Sequence, residues 1–299
     1  MQSAASWKLS LPCTRAEAEA IAVADLLPGL EPPPVLMTDE PDPEQPDVWT
    51  LSAYFEGEPD ADALARVRAL VATDIAGTLE KLDDEDWVTA SQRGMAPVSA
   101  GRFFVHTPAH RDAVPPHAVA FEIDAGRAFG TGHHETTAGC LEALDGLAAA
   151  HRFANIADIG TGTGLLAFAA QRLWPAARVI ASDIDPVSID VSAVNAHVNR
   201  VALCSAAGGV LLVVADGMDA PELAERAPYD LIVANILAGP LIALADDFGS
   251  ALAPGGTLML AGLLARQADD VEAAYRAVGV MPESRVVRGD WPTLVLRKN

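Results

Sequence analysis

Apolar runs and amphipathic stretches alternate along the chain, and the first hundred residues give a self-contained pattern. The runs WKLSLPC, PPVLMT, VWTLSAYFEG and GRFFVHTP have the length and composition of strands. Helical periodicity fills TRAEAEAIAVADLLPG and DADALARVRALVATDIAGTLEKL, and Thr14 and Glu17 have the spacing of a capping box. Strand–helix–strand–strand–helix–strand is the order of a ferredoxin-like fold. The pattern therefore predicts a small α+β domain in residues 1–100, including a linker.

From Phe153 onward, strands and helices alternate. The apolar runs are FANIADI, ARVIASD, GVLLVVAD, YDLIVANI and GTLMLAGL, and helical segments such as DPVSIDVSAVNAHVN lie between several of them. This order predicts a parallel sheet with helices on both faces, that is, an α/β Rossmann-like domain over residues 101–299. The last two runs, ESRVVRGD and PTLVLRK, are too close for a crossover helix, so they should pair antiparallel at the end of the sheet.

Polar residues and glycines stand at four predicted strand ends. They are Asp158 to Gly164, Ser182 with Asp183, Asp216 with Gly217, and Asn235. Sheets of this class bind ligands at the carboxyl ends of their strands. The four strand ends therefore predict one ligand site.

The glycine loop admits two ligands, depending on which glycines are counted. Gly162-x-Gly164-x-x-Ala167 matches a dinucleotide fingerprint, whereas Asp158-x-Gly160-x-Gly162-x-Gly164 matches the loop that binds S-adenosylmethionine. Asp158 favours the second. At about 5 Å and an effective dielectric of about 20, it would repel a pyrophosphate by roughly 3 kcal/mol, but it would attract a sulfonium or an ammonium. A role for Asp158 in capping or bracing the loop remains open.

The other strand-end residues have expected roles beside alternatives. Asp183 can accept both hydroxyls of a ribose, which fits NAD and S-adenosylmethionine equally. Asp216 ends a strand where methyltransferases often hold the adenine amino group, but it is also a plausible turn residue. Asn235 can accept a hydrogen bond from a substrate amine and orient its lone pair, or it is an ordinary strand-end asparagine.

Composition narrows the class of partner and the compartment. The net charge of −21 repels bare nucleic acid and attracts a basic protein, although acidity also serves solubility. Cys13, Cys140 and Cys204 form no CxxC pair, so we expect reduced thiols, a cytoplasmic protein and no metal site; His133 and His134 have no further ligand at metal spacing. No apolar stretch has the length of a membrane span, and the N-terminus does not resemble a secretory signal.

Together, these motifs resemble the methyltransferases of ribosomal protein L11. The resemblance rests on AFGTGHHETT, DIGTGTGLLA, ASDIDPVSI, ANILAGPL and LAPGGTLMLAGLLARQADDVEAAY, and with DWVTASQRGMAPVSAGRFFVHTP and GDWPTLVLRK it covers about residues 80–299 in order. Thr161 stands where a cysteine is common, and VALCSAAGGVLLVVADG is more apolar than expected before the third strand. This second departure weakens the assignment of Asp216.

The resemblance implies a fold, a reaction and a set of contacts. It implies a class I methyltransferase sheet behind a ferredoxin-like domain that recognises the substrate. It also implies S-adenosylmethionine as cofactor and lysine and N-terminal amines of ribosomal protein L11 as acceptors. We expect a monomer with no direct contact to nucleic acid. The residues expected to contact the donor are Phe129, Thr131, Thr137, Asp158, Gly160, Gly162, Gly164, Asp183, Asp216 and Asn235, with Asn235 also catalytic.

Three other interpretations remain at this point. A related group that shares the glycine loop methylates the beta subunit of the electron-transfer flavoprotein, although a shorter N-terminal domain is expected there. An NAD-dependent oxidoreductase needs the shifted glycine register and tolerates Asp158 poorly. A non-catalytic binding module would keep the fold without the donor, but the glycines, Asp183 and Asn235 are all in place.

Overall fold

The structure is a computed structural model that describes residues 6–21, 34–39, 48–72, 75, 77–82, 97–123 and 135–299. By their contacts, the residues fall into two compact units, Met1–Ser91 and Gln92–Asn299. None of the helices within the described ranges is long and apolar enough to cross a membrane.

The first unit has a four-stranded antiparallel sheet in the order β2-β3-β1-β4. Its elements are β1 (Ser6–Thr14), α1 (Arg15–Ile21), β2 (Val35–Asp39), β3 (Val48–Glu56), α2 (Ala61–Arg68) and β4 (Thr78–Leu82). Leu9, Leu11 and Leu51 are buried in one core with Val67 of α2. Alternate residues of a strand share a face, so this core lies on one face of the sheet.

The predicted capping box of the first helix is confirmed. The backbone N–H of Thr14 donates to Glu17 Oε2 at 2.7 Å, and the N–H of Glu17 donates to Thr14 Oγ1 at 3.3 Å. Glu17 Oε1 also accepts from the N–H of Ala72 at 2.7 Å. These bonds lower the pKa of Glu17. The capping residue therefore also ties α1 to the segment after α2.

The fourth strand of this sheet is not the one that the pattern predicted. Helix α2 ends at Arg68, and TLEKL, predicted as its last turn, forms strand β4 against β1. GRFFVHTP instead belongs to a small sheet of the second unit. Residues such as Leu, Glu and Lys suit a helix, and only pairing with a distant strand overrides that preference.

The second unit has a seven-stranded sheet in the order β10-β9-β8-β11-β12-β14-β13. Its strands are β8 (Asn155–Ile159), β9 (Arg178–Asp183), β10 (Val210–Val214), β11 (Tyr229–Asn235), β12 (Leu252–Ala261), β13 (Val280–Arg288) and β14 (Trp291–Lys298). The first five are parallel. β14 runs antiparallel to both β12 and β13, which confirms the predicted closing pair.

Helices cover the seven-stranded sheet on both faces. They are α3 (Glu135–Ala150), α4 (Leu165–Leu173), α5 (Pro186–Val198), α6 (Pro221–Arg226), α7 (Ala238–Ala243), α8 (Ala245–Ala251) and α9 (Ala268–Ala277). Two buried clusters result, one around Leu141 and Phe168 and the other around Phe248 and Tyr275. The apolar runs of the parallel strands are explained by this double coverage.

A small sheet completes the second unit. It consists of β5 (Val98–Ala100), β6 (Phe103–His106) and β7 (Val119–Glu122), with β6 and β7 parallel. Arg111 holds the side chain of Glu122 in two bonds of 2.7 Å. Arg111 therefore holds the last residue of β7. Residues 124–134, which follow Ile123, lie outside the described residues.

Candidate functional site

The glycine loop between β8 and α4 turns on three left-handed residues. Gly160, Gly162 and Gly164 have φ of +73°, +56° and +84°. The N–H groups of Gly160 and Thr161 donate to Ser182 O at 2.8 and 2.9 Å, which fixes the loop against β9. A Cβ on Gly160 would overlap the side chain of Ile236. Both the backbone angle and the close approach at position 160 therefore require glycine.

Asp158 braces this loop from inside. Its Oδ2 accepts from the hydroxyl of Thr161 at 2.6 Å and from the N–H of Ala167, in the first turn of α4, at 3.0 Å. The side chain is 1% exposed. Burial raises the pKa of Asp158 to about 6, assisted by the charge of Asp183, while its two hydrogen bonds act to lower it. The bracing role left open by the sequence is thus the one that the geometry shows.

Asp183, at the end of β9, is joined to the loop by its carboxylate. Its Oδ2 accepts from the N–H of Gly162 at 2.8 Å, and its Oδ1 accepts from the N–H of Asp185 at 3.0 Å. Each oxygen keeps further lone pairs for a ligand. The predicted ribose-binding carboxylate is therefore held in one orientation by the same loop that forms the rest of the site.

Asn235, at the end of β11, lies beside Thr137 in the first turn of α3. The amide Nδ2 of Asn235 donates to Thr137 Oγ1 at 3.4 Å. Thr137 is buried, and Thr136 and Thr137 lie inside the helix rather than at its cap. The amide NH2 group can only donate, so Oδ1 is the atom of Asn235 that can accept from a substrate amine.

For the remaining predicted site residues, the described part of the chain shows no contact that indicates a role. Asp216 is exposed and begins a turn, in which its carbonyl accepts from the N–H of Asp219 at 3.0 Å. Its expected contact with adenine stays a prediction. Phe129 and Thr131 lie outside the described residues, as do His133 and His134. Within the described ranges, no group of three His, Cys, Asp or Glu side chains could hold a metal ion.

Two further polar residues hold the loop, and the sequence analysis did not identify them. Ser192 Oγ donates to Gly162 O at 2.8 Å, and Asn195 Nδ2 donates to Thr163 O at 3.0 Å. Both side chains are buried on the inner face of α5. Their spacing of three residues, which places both polar side chains on one side of the helix, was the available signal.

The acidic residues at the glycine loop fit a cationic ligand. Asp158 and Asp183 place two carboxyl groups at the loop and interact with each other. A pyrophosphate would add negative charge there, whereas a sulfonium and an ammonium would offset it. The residues present therefore fit S-adenosylmethionine and disfavour a dinucleotide.

The raised pKa of Asp158 makes a testable contribution to stability. An acid whose folded pKa, about 6, exceeds its unfolded value of 3.8 stabilises the fold at low pH, and that contribution is lost as pH rises through 6. Asp158→Asn keeps an acceptor for Thr161 and Ala167 but does not titrate. The free energy of unfolding of this variant, relative to the unmodified protein, should therefore rise by about 1 kcal/mol between pH 5 and 7. Urea unfolding at both pH values measures it, and a difference independent of pH would contradict the assignment.

Comparison with known proteins identifies the family. The model of the family described as ribosomal protein L11 methyltransferase (PrmA) matches residues 6–299. The chain belongs to this family. The ribosomal protein L11 methyltransferase of Agrobacterium fabrum is 40% identical over 297 residues, which cover 98% of this chain and 99% of that protein. That of Brucella suis biovar 1 is 42% identical over 264 residues, covering 88% and 89% of the two chains.

A solved structure of the family supports the same conclusion. The crystal structure of ribosomal protein L11 methylase from Lactobacillus delbrueckii subsp. bulgaricus aligns with a TM-score of 0.56 and 27% identity, covering 68% of this chain and 99% of that one. The predicted resemblance, the Rossmann-like methyltransferase fold and the prediction of an enzyme are confirmed. Membership in the family also confirms S-adenosylmethionine as the cofactor, and it does not support the flavoprotein or NAD alternatives.

Proposed function

We propose that this enzyme transfers methyl groups from S-adenosylmethionine to lysine side-chain and N-terminal amines of ribosomal protein L11. The observation that carries the proposal is the convergence of the glycine loop, Asp183 and Asn235 at the carboxyl ends of three adjacent strands. The curated relatives, which are about 40% identical, are named for that substrate.

The residues divide into those that hold the donor and one that meets the acceptor. When bound, S-adenosylmethionine supplies an electrophilic methyl group on a sulfonium. The loop of Gly160, Gly162 and Gly164 and the carboxylate of Asp183 would hold its nucleoside and amino acid parts, together with Asp216, Phe129 and Thr131, while Asp158 acts through the loop that it braces. Thr137 orients Asn235, whose Oδ1 accepts an N–H of the substrate amine and turns its lone pair toward the site.

The acceptor amine has to be neutral to act as a nucleophile. A lysine with a pKa near 10.4 pays roughly 4–5 kcal/mol to be neutral at pH 7. Desolvation at the site and a nearby cationic centre both lower that pKa. Proximity and alignment then lower the barrier further. We assign no side chain of the described residues as general base. The lysine ammonium group loses its proton to solvent before the methyl transfer, so the neutral amine is the nucleophile.

We assign substrate recognition to residues 1–100, which include the first unit and the linker. Residues 101–299 are assigned to donor binding and catalysis. The division by contacts after Ser91 lies close to this boundary. We expect the enzyme to act as a monomer in the cytoplasm, on the free protein rather than on RNA. The net charge of −21 supports a basic protein as the partner.

Charge attraction predicts a dependence of substrate binding on salt. Raising the salt from about 50 to about 300 mM shortens the Debye length, so the affinity for ribosomal protein L11 should fall several-fold. Calorimetry at the two salt concentrations measures this change, with an uncharged viscogen as control for the medium. An affinity that does not change over this range would remove steering by charge from the proposal.

The substrate itself is tested by mass spectrometry. Purified enzyme and S-adenosylmethionine are incubated with ribosomal protein L11 and, separately, with the beta subunit of the electron-transfer flavoprotein. Mass increments of 14 Da per methyl on L11 alone support the proposal, with the modified amines located by peptide fragmentation. Methylation of the flavoprotein subunit alone would overturn the substrate assignment. Binding of the donor without methylation of either protein would favour a different substrate.

A further inference from the structure

Helix α5 buries mainly polar side chains and exposes several apolar ones. An amphipathic helix of this class normally buries its apolar side chains against the sheet. In α5, Val187 and Val194 are 49% and 62% exposed. The buried positions of the helix are Ser188, Ser192, Asn195 and Ala196. The inner face of α5 therefore makes polar contacts at the expense of apolar burial, and those contacts need an explanation.

The first two contacts satisfy the glycine loop. The carbonyls of Gly162 and Thr163 belong to a loop in which alternate residues have left-handed backbone angles. Ser192 and Asn195 supply the donors that these carbonyls accept from. A buried carbonyl left without a donor costs about 1–3 kcal/mol. The loop conformation that exposes Gly162 N–H to Asp183 thus depends on α5.

The third contact lies at the end of the same helix and reaches another segment. Asn199 Oδ1 accepts from the N–H of Glu122 at 2.8 Å, and its Nδ2 donates to Glu122 O at 2.7 Å. The side chain of Asn199 thus bonds to both backbone groups of the last residue of β7, as a neighbouring strand would. The C-terminal end of α5 is thereby tied to the small sheet of the second unit, which fixes the helix that holds the glycine loop.

We propose that Ser192, Asn195 and Asn199 are positioning residues for methyl-donor binding. They are spaced by three and four residues, so they share one side of the helix. Ser192 and Asn195 hold the glycine loop on α5, and Asn199 anchors α5 on β7, so the three residues together fix the loop in the conformation that binds the donor. This inference rests on the proposed function, because it assigns a role toward the same donor.

A positioning role differs from a general structural role in what its loss changes. Loosening the glycine loop, directly or through α5, adds an ordering cost to donor binding but leaves the acceptor side, at Asn235, unaltered. Asn195→Ala and Asn199→Ala should each raise the Kd for S-adenosylhomocysteine by about 5- to 10-fold, with kcat at saturating donor reduced by no more than about twofold. Val194→Ser, on the exposed side of α5, is the matched control and should leave the Kd unchanged.

A measurement without ligand makes the test independent of activity. In the free protein, Asn195→Ala should increase amide hydrogen exchange in a peptide spanning residues 159–167, and Val194→Ser should not. If Asn195→Ala fails to fold, Asn199→Ala carries the test, since Asn199 lies at the half-buried end of the helix. Thermal unfolding of each variant establishes that it is folded.

The outcomes separate this inference from the function on which it depends. A raised Kd with retained kcat in the two alanine variants, and no change in the control, supports it. An unchanged Kd in both alanine variants overturns it. An equal loss of kcat and of donor affinity in these variants also overturns it, as does an equal rise of the Kd in Val194→Ser. If the unmodified protein fails to bind S-adenosylhomocysteine, the proposed function fails instead.

Discussion

Asp183→Ala should lose methyl-donor binding, with the Kd for S-adenosylmethionine raised by about 10²-fold or more. Two effects add. The substitution removes the acceptor of Gly162 N–H, one of the bonds that shape the loop, and it removes the carboxylate expected to hold the ribose hydroxyls. A hydrogen bond to a charged group contributes about 1.5–3 kcal/mol, so the loss of two such interactions accounts for this change. Calorimetric titration with S-adenosylmethionine measures it.

The control for Asp183→Ala is a charge-matched change nearby. Asp190→Ala removes one negative charge from the exposed side of α5 and should bind the donor as the unmodified protein does. Titration with NAD should give no heat of binding in any of the three proteins. Retained affinity in Asp183→Ala would remove Asp183 from the site, and binding of NAD would mean that the shifted register of glycines is the functional one.

Asn235→Ala should bind the donor normally and turn over slowly. Its Oδ1 is assigned to the acceptor amine rather than to the donor, so the substitution should lower kcat by about 10²-fold through loss of alignment. The Kd for S-adenosylhomocysteine should change by less than about threefold, because only a contact beside the transferable methyl is lost. Single-turnover methylation of ribosomal protein L11, followed by mass spectrometry, measures the rate.

Thr137→Val separates orientation from direct contact at the same place. Valine keeps the shape of threonine but cannot accept from Asn235 Nδ2, so the amide loses the bond that orients it. We expect a fall in kcat that is smaller than that of Asn235→Ala. Unchanged turnover in Asn235→Ala, with unchanged donor binding, would exclude Asn235 from the reaction.

Sequence patterns predicted most of the second unit because its local signals agree. The apolar strands β8 to β12 and the antiparallel pair β13 and β14 all lie where the pattern placed them. In a parallel sheet covered on both faces, burial on two sides makes each strand a continuous apolar run, which can be recognised without tertiary information. The glycine loop and its acidic neighbours were equally visible, and in combination with AFGTGHHETT upstream and ANILAGPL downstream they indicated the family.

The first unit shows where such patterns fail. The segment Thr78–Leu82 has helix-forming residues, but it forms the edge strand β4 because it pairs with β1, more than sixty residues away in sequence. The antiparallel partner supplies hydrogen bonds that local preference does not include. As a result, the predicted order of elements was correct while the fourth strand was assigned to the wrong residues.

At the site, the sequence by itself indicated that Asp158, Asp183 and Asn235 stand at strand ends of one sheet, and the tertiary structure decided what each side chain contacts. Asp158 and Asp183 both stand at strand ends, which brings them to the same loop. Only the folded chain shows that Asp158 is buried as a brace while Asp183 remains at the loop surface with oxygens that can accept from a ligand. The reason is that Asp158 is covered by the loop and the first turn of α4, whereas Asp183 meets the loop from the neighbouring strand β9, and no local period records which carboxylate becomes buried.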